Sequence, residues 1–256
     1  MNFRSSIEKL VLKLKKNPFR ISIYFLLFIF LLYFIICLPA DLFAVPYSSV
    51  LTDNNNEIIS ARIAADGQWR FPSSGKVPQK FRECIIQFED KNFYCHPGVD
   101  PFALMRATRQ NFSSGKRVSG GSTLTMQVIR LARHNPKRSY FEKFIEMVWA
   151  MRMTVTYSKE EVIDLYATHA PFGSNIVGLE AASWRYFGRS PAQLSWAESA
   201  TLAVLPNAPA LIFPGKNQKL LLEKRNRLLN KLFEKKIIDE ETYSLAIQEP
   251  LPQKAF

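Results

Sequence analysis

The chain has 256 residues, 47% of them hydrophobic, and a formal net charge of +12. That is enough for a sizeable core in one or two domains, and the basic excess points to an anionic partner: nucleic acid, anionic lipid or phosphate. Three cysteines with no metal-ligand spacing exclude a disulfide framework, and the G-x-S-x-G, P-loop and H-E-x-x-H signatures are all missing.

The first twenty residues form a basic tail, with Arg4, Lys9, Lys13, Lys15, Lys16 and Arg20 against Glu8 alone. Residues Ile21 to Leu38 then carry no charge over eighteen positions. As a helix this run would rise about 27 Å, close to the thickness of bilayer hydrocarbon. A cleaved signal peptide is the competing reading, but its apolar region is usually only about 7–15 residues. A retained transmembrane anchor over 21–39 is therefore favoured, with a cytoplasmic basic tail over 1–20 and the rest of the chain exported. Cys84 and Cys95 would then face the outer side, either paired or as two free thiols.

A small β element is expected over 46–75. Ser49–Thr52 and Glu57–Ile63 flank the turn-forming run Asp53-Asn-Asn-Asn56, and Gln68–Phe71 could add a third strand. From about residue 76 to 256 the pattern is helical. One helix is expected over Pro78–Phe88. Asp100 with Pro101 starts a second, running to about Phe112. Ser113–Gly121 reads as a polar loop carrying Lys116 and Arg117. Ser122 or Thr123 caps a helix through Arg133, and Ser139 caps Tyr140–Thr156. Further helices are expected near 158–168, 176–187, 195–205, 219–235 and 239–248, with capping boxes at Ser158/Glu161 and Ser195/Glu198. The fold class is therefore mainly α, with a small N-terminal β element and one transmembrane helix.

Chemistry concentrates first at Gln87–Asp100. Glu89 and Asp90 end an apolar helix that Phe93, Tyr94, His96, Pro97 and Gly98 force into a turn. Glu142 and Glu146 lie one helical turn apart further on. Paired carboxylates across a cleft suit proton transfer at an anomeric carbon. The cations Lys116, Arg117, Arg130, Arg133, Lys137, Arg138 and Lys143 suit phosphate or pyrophosphate, and Gly120–Thr123 at a helix start adds N–H donors.

On these residues the chain resembles the peptidoglycan glycosyltransferase module, glycosyltransferase family 51, of class A penicillin-binding proteins and monofunctional transglycosylases. The resemblance covers residues 80–210. The motif E-D-x-x-F-x-x-H-x-G is met by Glu89, Asp90, Phe93, His96 and Gly98, and G-x-S-T-x-T-x-Q by Gly120, Ser122, Thr123, Thr125 and Gln127. A third motif, R-K-x-x-E, is met by Lys143 and Glu146, with Glu142 where the family has arginine. A fourth is loosely met by Lys159, Val162, Ile163, Asp164 and Tyr166, with Thr168 in place of asparagine, and a fifth by Leu202–Pro206. Met126, Ala170–Gly173, Ala181–Trp184, Leu205–Pro209 and Asp66–Phe71 resemble the penicillin-binding protein 1C type. Members of that type continue into a transpeptidase domain, for which a chain ending at Phe256 has no room, so a short, split or truncated protein is expected.

The resemblance implies a lysozyme-like helical domain that polymerises lipid II and releases undecaprenyl pyrophosphate. Glu89 matches the general base and Glu146 the donor-side glutamate. Ser122, Thr123, Gln127, Arg130, Arg138 and Lys143 match substrate-binding positions, Arg130 standing where lysine is usual. Asp90, Phe93, His96 and Gly98 match the supporting turn. Phe102, Leu104, Met105 and the loop after Phe112 match a segment that dips into the membrane. The implied partners are lipid II, the growing glycan chain, the membrane and other cell-wall synthesis proteins, not nucleic acid. No tightly bound cofactor is implied, although a divalent cation, Mg or Mn, can bridge the pyrophosphate and offset Glu142. A lysozyme-like lytic enzyme and an inactive membrane scaffold, weakened by Glu142 and Thr168, are the competing functions.

Overall fold

The computed structural model describes residues 18–55, 57–73, 75–115, 120–137 and 139–256. They fall into two compact units, divided after Leu42.

Among the described residues of the first unit there is one helix, α1 (Pro18–Ile36). Its side chains are exposed around the helix, among them Phe25, Leu26, Phe28, Leu31 and Ile35. Its uncharged part, Ile21–Ile36, rises about 24 Å, short of the roughly 20 residues a spanning helix needs. No helix among the described residues is long and apolar enough to cross a membrane. The basic tail lies outside the described residues, apart from the helical backbone at its end.

The second unit, from Phe43 to Phe256, begins with an antiparallel hairpin, β1 (Ser49–Thr52) and β2 (Ile58–Arg62), with Val50 opposite Ala61. Asp53 closes its turn by accepting from the N–H groups of Asn55 and Glu57, both at 2.8 Å. The expected third strand forms over Trp69–Arg70 (β3) but does not join the hairpin. It pairs in parallel with β4 (Ile176–Val177), two β-branched residues at the start of the helix expected over 176–187. Gly178 forces the difference: its φ is +89°, and a Cβ there would meet the Thr168 carbonyl oxygen at 2.6 Å. The helix therefore starts one residue later, as α7 (Leu179–Phe187).

The remaining helices are α2 (Gln79–Glu89), α3 (Pro101–Ser114), α4 (Leu124–Ala132), α5 (Tyr140–Thr156), α6 (Lys159–His169), α8 (Trp196–Val204), α9 (Gln218–Glu234) and α10 (Glu240–Gln248). Helix α8 is the hub. Its sequence is rich in alanine and small polar residues, and everything from Ser199 to Val204 is buried. Small side chains let α2 and α9 approach it closely. Helix α2 contributes the buried face Phe81, Cys84 and Ile85, and α9 contributes Leu221, Leu228, Leu229 and Leu232. Cys84 is buried and Cys95 exposed, and both are free thiols.

Not every apolar face is covered. Helix α3 exposes Phe102 (79%), Met105 (66%) and Phe112 (91%), and α5 exposes Tyr140, Phe141, Phe144, Met151 and Val155. Leu104, by contrast, is half-buried. A groove along α3 is lined by Phe102 and Met105 together with Arg106 and Arg109.

Two tests follow from the packing. Gly98 has φ +83°, and a Cβ there would meet the Ala150 carbonyl oxygen at 2.4 Å. Gly98→Ala is expected to destabilise the protein by about 2 kcal/mol or more in denaturant unfolding. His169 stacks on Phe43 with ring centroids 3.6 Å apart. Burial, aided by the positive charge of Arg70, lowers its pKa to about 4. An unfolded histidine titrates near 6.5, so the unfolded chain takes up this proton first. The contribution is complete above about pH 6.5 and is lost as pH falls towards 4, at most about 3 kcal/mol in all. Stability measured against pH should lose that part of its slope in His169→Phe.

Candidate functional site

The site is built where α2 ends. The chain leaves the helix at Asp90, whose backbone is no longer helical (φ −154°, ψ 73°). The Asp90 carboxylate is buried and accepts from the Leu124 N–H at 3.0 Å and from His96 Nε2 at 3.1 Å. Phe93 is fully buried in the turn. Lys159 lies 4.4 Å over its ring and donates to the carbonyls of Phe93 and His96 at 2.6 and 2.7 Å. Thr123 caps α4: its hydroxyl accepts from the Met126 N–H and donates to the Gly98 carbonyl at 2.6 Å. That hydroxyl is thus committed to joining α4 to the turn.

Glu89, one residue before this clamp, opens into a cleft of about 640 Å³. Its Oε2 accepts from the Gln127 amide at 2.8 Å, and its Oε1 is buried with no partner among the described residues. Burial raises the Glu89 pKa. The Gln127 hydrogen bond and the charges of Lys224 and Arg130 work against that rise, whereas Asp90 adds to it. The result is a carboxylate of increased basicity at the wall of a cavity.

The cations stand beside it on α4 and α5. Arg130 grips Glu146 through two bonds, 2.6 and 2.8 Å, and also donates to Ser122 at 3.2 Å. Lys143 donates to Ser122 at 2.6 Å and to Glu146 at 3.2 Å. Burial alone would raise the Glu146 pKa, but the bonds and charges of Arg130 and Lys143 outweigh it and hold the carboxyl below the usual range. Glu146 is therefore an ionised anchor that fixes two cations. Gly120, Ser122, Gln127 and Arg130 line the cleft with Glu89, and Lys143 and Glu146 bond to that lining. Arg138, Lys116 and Arg117 lie outside the described residues.

Glu142 is drawn away from this cluster. It forms an ion pair with Arg133 at 2.5 Å, and Arg133 also lies 5.2 Å over the Trp149 ring. Its negative charge thus has its own counter-ion, and neither residue lines the cleft. Sequence adjacency to Lys143 gave no sign of this pairing, which is set across two helices.

Several lining residues stand in the sequence only within longer motif stretches, or carry no signal there. Tyr166 was noted only within a motif, yet its fully buried ring lines the cleft. Pro206, Asn207 and Pro209 form a wall from the loop after α8. Lys224, on α9, donates to Asn207 at 2.8 Å; its pKa is lowered by burial, a fall that the Glu89 charge resists. The proline pair was a usable signal for the wall, whereas nothing in the α9 sequence marks Lys224. Among the described residues no group of three or more His, Cys, Asp or Glu could hold a metal ion.

Comparison with known proteins agrees with the motifs. A family model described as transglycosylase matches residues 55–233. Penicillin-binding protein 1C of Escherichia coli K12 is 41% identical over 189 residues, which are 73% of this chain and 24% of that protein. Penicillin-binding protein 1A of Aquifex aeolicus is 35% identical over 184 residues, 72% of this chain and 25% of that one. The chain thus spans about a quarter of the length of these relatives. A crystal structure of penicillin-binding protein 1A from Haemophilus influenzae overlaps 83% of this chain and 21% of its own, at 21% identity and a TM-score of 0.44.

The pairing of charges gives a test. Arg130→Met leaves Glu146 buried with Lys143 alone and is expected to cost about 3 kcal/mol of stability. Glu142→Gln, at the more open pair, should cost less than about 1 kcal/mol. Thermal or denaturant unfolding of the two variants compares them directly.

Proposed function

We propose, from the premise that this chain belongs to the transglycosylase family, that it is a peptidoglycan glycosyltransferase polymerising lipid II into glycan strands with release of undecaprenyl pyrophosphate. The observation that carries the proposal is the shared cleft: a basic carboxylate, Glu89, opens into the same cavity as Arg130 and Ser122, which are fixed by Glu146 and Lys143.

The geometry divides the work. The acceptor's 4-hydroxyl oxygen attacks C1 of the lipid-linked donor while Glu89 takes its proton. The bond from C1 to the phosphate oxygen breaks, and its electron pair leaves with the pyrophosphate. Arg130 and Lys143 meet that charge as preorganised donors. Glu146 acts through them as a positioning residue, since a carboxylate held ionised by two cations is a poor acid. A lytic enzyme acting on finished glycan would have no pyrophosphate for these cations to meet.

A divalent cation, Mg or Mn, would arrive with the pyrophosphate oxygens. Glu146 is engaged by Arg130 and Lys143 and Glu89 by Gln127, so in this reading the pyrophosphate oxygens rather than these two carboxylates would hold the cation.

The proposed location is the cytoplasmic membrane, with the catalytic unit on the outer side. The uncharged run from Ile21 to Leu38 would hold the chain in the bilayer where the lipid tails of substrate and product lie. The exposed Phe102, Met105 and Phe112, with Arg106 and Arg109 between them, suit contact with the interface of an anionic membrane.

Purified full chain in detergent should convert lipid II into glycan strands. Glu89→Gln should lower the rate by at least about 100-fold with its fold intact. Glu142→Gln should polymerise at the wild-type rate within about threefold, because the ion pair it breaks lies outside the cleft. Polymerisation by Glu89→Gln at the wild-type rate would remove Glu89 as the base.

A further inference from the structure

Helix α5 has two sides. One, with Glu146, Ala150 and Met153, is buried. The other carries Tyr140, Phe144, Met147, Met151 and Val155, which recur every three or four residues and so share one face. On that face Tyr140 is 97% exposed, Phe144 51% and Val155 72%, and Met147 is half-buried. The stripe rises about 22 Å along the helix. A continuous apolar surface of this kind marks a place that something covers.

The stripe begins at the cation cluster. Tyr140 stands three residues before Lys143 and Met147 four after it, so both are its neighbours on the helix surface. Lys143 is the outer of the two cations, with 29% of its side chain exposed against 15% for Arg130. An anion held by Arg130, Lys143 and Ser122 thus reaches the surface past Lys143, where the stripe starts. The stripe is also narrow. Arg152 flanks Met151 and Val155 on one side, bonded to Thr156 at 2.7 Å, and Thr154 flanks them on the other. Sinking this face into bilayer hydrocarbon would carry the guanidinium with it, whereas one apolar chain laid along the stripe leaves Arg152 in water.

Resting on the glycosyltransferase reading above, we propose that the α5 stripe is the lane for the polyprenyl chain of the donor, whose first isoprene units lie along Phe144, Met147 and Met151 while its pyrophosphate is held at Arg130, Lys143 and Ser122. Methionine is unbranched and polarizable, and adapts to a chain with methyl branches and double bonds. The lane holds the donor by a part in which no bond changes, so it acts on KM and leaves kcat to the cleft.

The test needs no turnover. Calorimetry on the full chain in lipid nanodiscs compares inorganic pyrophosphate, geranyl diphosphate with ten carbons and geranylgeranyl diphosphate with twenty. Partition into the lipid is common to wild type and variant and cancels between them. The double variant Phe144→Ser, Met151→Ser should bind geranylgeranyl diphosphate about tenfold more weakly, geranyl diphosphate about threefold more weakly and inorganic pyrophosphate within twofold of wild type. Its KM for lipid II should rise about tenfold with kcat within about twofold. Circular dichroism melting checks the fold, and Phe144→Ala alone, expected to weaken geranylgeranyl diphosphate about threefold, serves where the double variant melts early. Geranylgeranyl diphosphate binding unchanged by the substitutions, or weakened no more than inorganic pyrophosphate, overturns the lane. It also falls if the diphosphate series stays unchanged while the variant loses affinity for phosphatidylglycerol vesicles or dissociates from a dimer in sedimentation, since the face then belongs to the bilayer or to a second copy. If the wild type fails to polymerise lipid II, the glycosyltransferase reading falls, while the diphosphate series still decides the lane.

Discussion

The buried carboxylate of Asp90 is the tie on which the cleft depends. It accepts from the first N–H of α4 and from His96, so the end of α2, the turn over 93–98 and the start of α4 meet at one group. A buried carboxylate is costly unless donors surround it, and here backbone and imidazole supply them. Thr123 and Lys159 complete the clamp by bonding the carbonyls of Gly98, Phe93 and His96. The consequence falls on the neighbouring residue. With Asp90 fixed inward, Glu89 is left on the cleft side of the helix end, close to Gln127 on the α4 that Asp90 has just anchored.

The four acidic side chains around the site take different roles because their surroundings differ. Asp90 is spent on structure, Glu146 on holding Arg130 and Lys143, and Glu142 on Arg133. Of the four, Glu89 alone keeps a buried oxygen with no partner among the described residues, and its pKa moves opposite to that of Glu146. Environments that push two carboxylates apart in this way separate a more basic group from an ionised anchor without reference to spacing along the chain. The same comparison gives Glu142 a counter-ion of its own. Its charge beside Lys143 suggests interference with an anion site, but the cation it meets is one from the neighbouring helix.

Much of the architecture can be read from local chemistry. Asp100, Thr123, Ser139, Ser158, Ser195 and Asp239 each cap the helix that follows, and each accepts from a backbone N–H of its first turn. Side-chain capping depends on residues three apart, so sequence alone exposes it. The β3–β4 pairing escaped such reading. Ile176-Val177 joins Trp69-Arg70 from more than a hundred residues away, and only Gly178 hints that the helix must begin late. Short buried strands have no periodicity with which to compete against a helical neighbourhood.

By itself the sequence determined the helical body, the caps, the uncharged N-terminal run and the family, because these rest on composition and on residues close together in the chain. It also brought Glu89, Gln127, Arg130, Lys143 and Glu146 to attention as a set. What only the tertiary structure decided is which acid meets which cation, and which polar atoms are left without partners. Ion pairing and desolvation depend on distances between helices, and no spacing along the chain encodes that Arg130 takes Glu146, that Arg133 takes Glu142, or that Tyr166 faces the cavity of Glu89.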